Sequence, residues 1–238
     1  MSERVSEEEN ERIVPLHGVW ARGGPVFAHL TDNAVHAVEG RAMASFGDAA
    51  ALGMWAFATG ALMSGLFQAK ILPLEQLALL FPQLLVYSGA VLFIAGLFLF
   101  RRNNSFLATS FCSFGAFNLT RGLLILCESK GWIPNGASAD LLQGILIEVF
   151  AYVALSLFVG ALAMNTVVAL VMIWAFVGFA LSGLPFLTNE IGHGFWGDVG
   201  SYGGYALLAT AAFAYYGGTA MVVNTAFERV VLPIGGKA

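Results

Sequence analysis

Charged residues are scarce over most of this 238-residue chain. Only 11 of its Asp, Glu, Lys and Arg residues lie between Ala49 and Asn224, and the whole chain is 11% charged, whereas a soluble domain has about 25%. Hydrophobic residues make up 58% of the chain, and the mean hydropathy is +0.76. A stretch this poor in charge leaves no room for a water-soluble catalytic domain, so we expect the protein to act inside or across a bilayer.

Sequence patterns typical of other functions are also missing. We find no glycine-rich nucleotide loop, no cluster of metal ligands and no nucleophile paired with a base, so the sequence predicts neither an enzyme nor a cofactor or metal. A basic patch or zinc-finger spacing for nucleic acid is absent. No lysine lies inside a predicted span, which excludes a retinal Schiff base. Cys112 and Cys127 lie about 22 Å apart on one predicted helix and cannot pair within the chain.

Long apolar stretches take the place of these features. A hydrocarbon layer of ~30 Å needs about 20 helical residues to cross it. Six stretches of that length are predicted: Ala49–Phe67, Leu84–Phe100, Phe106–Cys127, Leu141–Met164, Val167–Leu187 and Tyr202–Val223. The predicted fold is therefore an all-α integral membrane protein, with a six-helix domain over residues 45–226, an N-terminal arm over 1–44 and a C-terminal tail over 227–238.

The predicted arm has its own composition. It holds an acidic cluster and three histidines, at Glu3, Glu7, Glu8, Glu9, Glu11, His17, His29 and His36. An acidic start without an apolar core does not resemble a secretory signal. Because no thiolate and only Asp32 lie near the histidines, we expect no metal site. We predict a cytosolic arm that lies along the membrane or a neighbouring subunit.

Basic residues indicate the orientation, because cytoplasmic loops carry an excess of Lys and Arg. With the N-terminus inside, eight basic residues fall on the cytosolic side: Arg4, Arg12, Arg22, Arg41, Arg101, Arg102, Arg229 and Lys237. Only Lys70 and Lys130 fall outside. Both termini are therefore predicted to be cytosolic in a multi-pass protein of the inner (plasma) membrane.

Small residues indicate how the helices pack. Lipid gives no hydrophobic drive between helices, so close approach depends on Gly, Ala and Ser. The sixth span is the richest in them, with Gly200, Gly203, Gly204, Gly217 and Gly218. We expect a tight bundle that assembles into a homo-oligomer.

The first, third and fifth spans share a plan that suggests a pore. Asp48, Ser105 and Thr166 each stand nine residues before a candidate blocking position, at Phe57, Phe114 and Ala175, the last flanked by Trp174 and Phe176. Nine residues rise about 14 Å, half the hydrocarbon thickness, so all three positions reach the midplane. Three such helices facing one axis would form an apolar gate. Ordinary core packing is the alternative explanation.

Two segments resemble a known family. Asn104–Phe106 with Ser110–Phe117 and Leu119–Thr120 resembles the third-helix signature of the acetate uptake transporter family, which includes succinate–acetate permease and its fungal relatives. Phe227–Gly235 resembles the family's C-terminal segment, and Asp48–Met54 lies where the family has its first-helix signature. The resemblance runs from about Asp48 to Gly235.

The resemblance implies a six-helix protein that moves acetate and other short monocarboxylates, and in some members succinate, through a pore in each protomer of a homohexamer. Phe57, Phe114 and Ala175 fall on the family's gate positions. Leu52 in the first-helix signature, Tyr87 in the second helix and Tyr216 in the sixth are then candidates for the substrate path.

This chain departs from the family pattern at several positions. Ala49 and Ala51 replace prolines, while Leu92, Leu99 and Met221 replace polar or acidic residues of relatives. Asp48 replaces an asparagine. At a pore mouth its charge would repel a carboxylate, but it is also a good helix cap.

Two charges inside the predicted spans need partners, because a charge in the bilayer costs several kcal/mol. Arg121 and Glu148 match in depth on antiparallel helices, and we predict an ion pair that either holds the helices together or lines the outer vestibule. Asn118 lies one turn beyond Phe114, where it would receive a carboxylate or bond a neighbouring helix.

The leading hypothesis is passage of a small monocarboxylate, with a small carboxylate and the lipid bilayer as partners. A second is a channel for a neutral solute such as water, ammonia or urea. A third is a membrane sensor or scaffold that docks partners through the N-terminal arm.

Overall fold

Six helices cross the molecule in the computed structural model, which describes residues 48–133 and 136–236. They are α1 (Ala50–Gln68), α2 (Gln76–Arg101), α3 (Ser105–Ser129), α4 (Ala137–Ala161), α5 (Thr166–Thr188) and α6 (Gly194–Ala226). The predicted count of six is confirmed. The helix α6 begins eight residues earlier than the predicted Tyr202, because its first two turns are too polar and glycine-rich to register as apolar.

The predicted arm of residues 1–44, with its acidic cluster and its three histidines, lies outside the described residues.

The helix α2 is irregular along its length. A 3₁₀ turn over Leu74–Leu80 leads into an α-helical turn over Phe81–Leu85, a π turn over Val86–Val91 and a final α-helical segment over Leu92–Arg101. Pro82 stands in the first turn of the α-helical part, where a missing N–H costs nothing. Turns of π type often occur at functional sites, and this one lies opposite α3.

The odd-numbered helices begin with side chains that bond their free backbone N–H groups. Asp48 Oδ1 accepts from Ala50 N at 2.9 Å, Asn104 Oδ1 from Leu107 N at 3.2 Å and Asn165 Oδ1 from Val168 N at 2.9 Å. For α3 and α5 the capping residue is the asparagine before the predicted Ser105 and Thr166. Short loops make neighbouring helices antiparallel, so these three starts share one end of the bundle.

Glycines let helix backbones touch. A Cβ on Gly204 of α6 would meet the backbone of Ala69 at the end of α1, and a Cβ on Gly65 would lie 2.9 Å from the Gly204 carbonyl. Between α2 and α3, a Cβ on Gly96 would lie 2.6 Å from Cys112 Sγ, and a Cβ on Gly115 would lie 2.7 Å from the Phe93 backbone N. These contacts give the close approach that helix association in lipid requires.

The C-terminal segment folds back over the end of α6 and the start of α5. Asn224 accepts from Val231 N and Leu232 N at 2.8 and 2.9 Å. The Gly235 carbonyl accepts from Thr166 N at 3.1 Å and the Ile234 carbonyl from Val167 N at 3.3 Å. The first N–H groups of a helix have no partner within it, so this tail completes the cap of α5.

We expect Gly115→Ala to weaken the bundle. Its methyl group would press on backbone atoms of Phe93, 2.7 to 2.9 Å away, which cannot move aside. Overpacking of this kind costs about 1–3 kcal/mol. Thermal unfolding in detergent should show a lower Tm.

Gly160→Ala is the matched control. Its methyl would meet only the Phe106 ring, at 2.9 Å, and a ring can rotate. Alanine also favours a helix over glycine by about 1 kcal/mol. The control should leave the Tm unchanged or raise it, and an equal fall in both variants would contradict the packing argument.

Candidate functional site

Phenyl rings from four helices meet in the middle of the bundle. The centroid of Phe57 on α1 lies 4.9 Å from that of Phe114 on α3, and Phe179 on α5 stacks on Phe114 at 5.8 Å with an interplanar angle of 8°. Phe150 on α4 lies 5.8 Å from Phe114 and 4.4 Å from Phe117. We call Phe57, Phe114, Phe117, Phe150 and Phe179 the ring cluster.

The predicted gate residues differ in how deeply they are buried. Phe57, Phe114 and Ala175 are all buried in one core, which agrees with the predicted common depth and also with ordinary core packing. Phe176 is half-buried at the edge of that core, whereas Trp174 is 38% exposed and contributes no ring to the cluster. The bulk beside Ala175 comes instead from Phe179, one turn further along the same face of α5. That periodicity could have identified Phe179 from the sequence.

Three adjoining cavities lead from one end of the bundle to the ring cluster. The first, which we call the vestibule, has a volume of about 220 Å³ and lies where α1, α3 and α5 end. Two deeper cavities of about 20 Å³ each follow it. Ser64 lines all three, Gln68 and Arg121 line the outer two, and Asn118 lines the inner two. The innermost cavity ends against Phe57 and Phe114.

Between the ring cluster and the capped ends of the odd helices, buried apolar side chains fill the bundle. Met54, Phe111, Val171 and Met172 are at most 2% exposed and belong to the same core as the rings. The path is therefore open at the vestibule and closed from the rings to the capped ends of the odd helices.

Some of the polar groups that line the outer part of the path have hydrogen-bond partners among the described residues, and others have none. Glu128 accepts a hydrogen bond of 2.5 Å from Gln143, and both residues line the vestibule with Asp140. The guanidinium of Arg121 lies 5.8 Å from the centroid of the Phe186 ring, and its Nη1 is buried without a hydrogen bond to any described residue. Ser182 Oγ, also buried and without a partner, lines the same deeper cavity.

The predicted ion pair between Arg121 and Glu148 is wrong. Among the described residues no salt bridge joins them, and Glu148 Oε1 is itself buried without a partner. Glu148 packs against Gly183 between α4 and α5, whereas Arg121 faces the cavities. Matching depth fixes the height of a residue but not its direction around the helix, which is why the prediction failed.

Asn118 bonds a neighbouring helix and also lines the path. Its Nδ2 donates to the Ser88 carbonyl at 2.9 Å, inside the π turn of α2. The Ser88 hydroxyl donates to the Ala56 carbonyl at 2.8 Å and accepts from Gln83 Nε2 at 2.5 Å. These bonds tie α1, α2 and α3 together beside the inner cavities.

The other predicted path residues lie away from these cavities. Leu52 is 44% exposed on the outside of α1, and Tyr87 packs at the edge of the core. The Tyr216 hydroxyl donates to the Pro233 carbonyl at 2.7 Å and so holds the tail. Asp48 is exposed and bonds the first turn of α1. Of the predicted path residues, Arg121 and Asn118 alone line the three cavities.

Six membrane-spanning helices around an internal path define the class of this molecule: a multi-pass membrane transport protein. The sequence pattern of the GPR1/FUN34/yaaH family matches residues 34–234, and the chain belongs to that family. The predicted family resemblance is thereby confirmed, as is the prediction of a transport protein rather than an enzyme.

Individual relatives agree with this membership. The chain is 29% identical over 149 residues to the succinate-acetate/proton symporter SatP of Escherichia coli (strain K12). The aligned stretch covers 63% of this chain and 75% of that protein. The same values hold for SatP of Shigella flexneri. The solved structure of the bacterial acetate channel SatP superimposes with a TM-score of 0.72 at 25% identity, over 80% of this chain and 100% of that one.

We predict that Asn118→Leu destabilises the bundle. The Ser88 carbonyl would lose its partner in an apolar interior, which costs about 1–3 kcal/mol. Differential scanning fluorimetry in detergent should show a lower Tm. Thr120→Val is the control, because the Thr120 hydroxyl bonds only its own helix, at the Ala116 carbonyl, on an exposed face. A control that lost as much stability would argue against the interhelix bond.

Proposed function

We propose that the protein carries acetate and other small monocarboxylates across the membrane through the path that ends at the ring cluster. The main observation in support is the series of cavities that share Ser64, whose volume falls from about 220 to about 20 Å³ before Phe57 and Phe114. The names of the relatives, a succinate-acetate/proton symporter and an acetate channel, supply the substrate class.

The lining suits a short acid with one polar end. Phenyl faces accept a methyl group and offer no replacement for the hydration shell of a small ion. Asn118 and Ser64 give hydrogen-bonding groups beside the rings, so a carboxylate need not give up all its polar contacts on the way in. The rings act as the gate, with Phe179 in the place predicted for Trp174 or Phe176.

The altered family positions do not change this lining. Leu92 and Leu99 are at most 1% exposed and pack in the core, and Met221 packs at its edge. The replacement of polar residues at these three positions was the argument for a channel for neutral solutes. Because the positions lie outside the three cavities, the replacements do not make the path less polar.

The orientation and assembly are part of the proposal. We place both termini in the cytoplasm and the vestibule on the outer face of the inner (plasma) membrane, as the distribution of basic residues indicates. We propose a homohexamer with one path in each protomer, on the basis of the family resemblance.

Uptake of labelled acetate into proteoliposomes tests the gate. Phe57→Leu and Phe114→Leu shorten side chains at the end of the path, so the rate of propionate uptake should rise relative to that of acetate. A methylene in such a pocket is worth 1–3 kcal/mol, or roughly tenfold in the ratio of rates. Trp174→Leu, outside the ring cluster, should leave the ratio unchanged. Urea-driven swelling without acetate uptake would instead establish a neutral-solute channel.

Labelling of single cysteines tests the orientation. In a variant with Cys112 and Cys127 changed to alanine, Ser105→Cys and Ser129→Cys place one thiol at each end of α3, where both serines are exposed. A membrane-impermeant maleimide added to intact cells should label Ser129→Cys at once and Ser105→Cys only after permeabilisation. The reverse order would place the vestibule in the cytoplasm.

A further inference from the structure

We propose that Arg121 and Ser182 form a binding subsite for one carboxylate group, at the junction of the vestibule and the deeper cavities. The inference rests on the proposed transport of monocarboxylates and adds where along the path the anion is held. The two residues come from different helices, α3 and α5, and line the same cavity.

Both residues present a hydrogen-bond donor that the protein leaves unused. Arg121 Nη1 and Ser182 Oγ are buried, and neither bonds a described residue. Buried polar groups in proteins nearly always have a partner, so two unused donors on one cavity call for an explanation. A ligand that accepts two hydrogen bonds would supply it.

The serine is an exception among the buried hydroxyls of the described residues. Of the other three, Ser110 and Thr210 donate to a carbonyl four residues earlier, and Ser88 donates to the Ala56 carbonyl. A bond to the carbonyl four residues earlier is the usual way for a serine in a membrane helix to satisfy itself. Ser182 does not make it, although it is only 1% exposed. Its hydroxyl therefore remains available to the cavity.

The size and walls of the cavity define the ligand. At about 20 Å³ it holds one water-sized group, such as one carboxylate oxygen. A guanidinium N–H and a hydroxyl are both donors, and a charged pair of this kind strengthens the bond. Phe117, Phe179 and Leu207 line the rest of the wall, so the donors of Arg121 and Ser182 lie in apolar surroundings.

The vestibule disfavours a second carboxylate on the same ligand. Glu128 and Asp140 line it next to Arg121. Its other cation, Lys70, is bonded to Asp198 at 2.9 Å. A dicarboxylate held at Arg121 would place its free end among like charges, so the subsite selects monocarboxylates.

Thermal shift in detergent tests the subsite without relying on transport, because a ligand that binds the folded state raises the Tm. Acetate should raise the Tm of the unaltered protein more than acetamide, succinate or sodium chloride at equal ionic strength. Arg121→Met and Ser182→Ala should each remove the acetate-specific rise. Lys130→Met, which removes a charge at the exposed end of α3, and Ser110→Ala, which removes a self-bonded hydroxyl, should keep it.

Uptake of labelled acetate into proteoliposomes is the second readout. Arg121→Met should slow uptake about tenfold or more, the loss expected for one charged hydrogen bond, while Arg121→Lys keeps part of the rate. An acetate-specific Tm rise that survives in Arg121→Met and Ser182→Ala would overturn the subsite, and so would a rise equal to that with chloride. Unaltered protein that binds acetate but does not take it up would leave the subsite in place and refute the transport proposal.

Discussion

Direct contact between helix backbones at glycine is the constraint on which this bundle depends. In lipid no apolar drive pulls helices together, so the pairs α1–α6, α2–α3 and α5–α6 approach where a side chain is absent. Gly204 sits against Ala69, Gly115 against Phe93 and Gly203 against Ser182. The seam between α1 and α3 is different, because there the helices meet through rings, Phe111 against Gly53 and Phe57 against Phe114. The innermost cavity of the path ends where Phe57 and Phe114 meet in this seam.

Polar side chains in the bundle fall into three groups with different consequences. Hydroxyls such as Ser110 bond their own helix and add nothing between helices. Ser88 and Asn118 bond across helices and fix the place where α1, α2 and α3 meet. Arg121 and Ser182 are left with unused donors, and these two lie where the cavities pass. At Arg121 and Ser182, unused donors therefore coincide with internal space, whereas the unpartnered Glu148 Oε1 packs against Gly183.

The sequence was sufficient for features that depend on length along a helix. Apolar length predicted six spans, and a spacing of nine residues placed Phe57, Phe114 and Ala175 in one core. It was insufficient for features that depend on rotation about the helix axis. Arg121 and Glu148 share a depth but face different ways, and Trp174 turns outward while Phe179 turns in. Helices apolar on nearly all sides carry little information about rotation, because lipid and core accept the same residues.

The sequence did not identify Phe150 as a member of the ring cluster. It lies on α4, an even-numbered helix outside the pattern that starts at the capped ends, and it reaches the ring cluster because α4 packs along α5. Its ring also contacts both Phe114 and Phe117, so the cluster is braced from the side away from α1. Phe57, by contrast, borders the small residues Gly60 and Ala61 along the innermost cavity. A cavity of about 20 Å³ holds one water-sized group, whereas acetate has four non-hydrogen atoms, so passage requires movement of the rings that line this cavity.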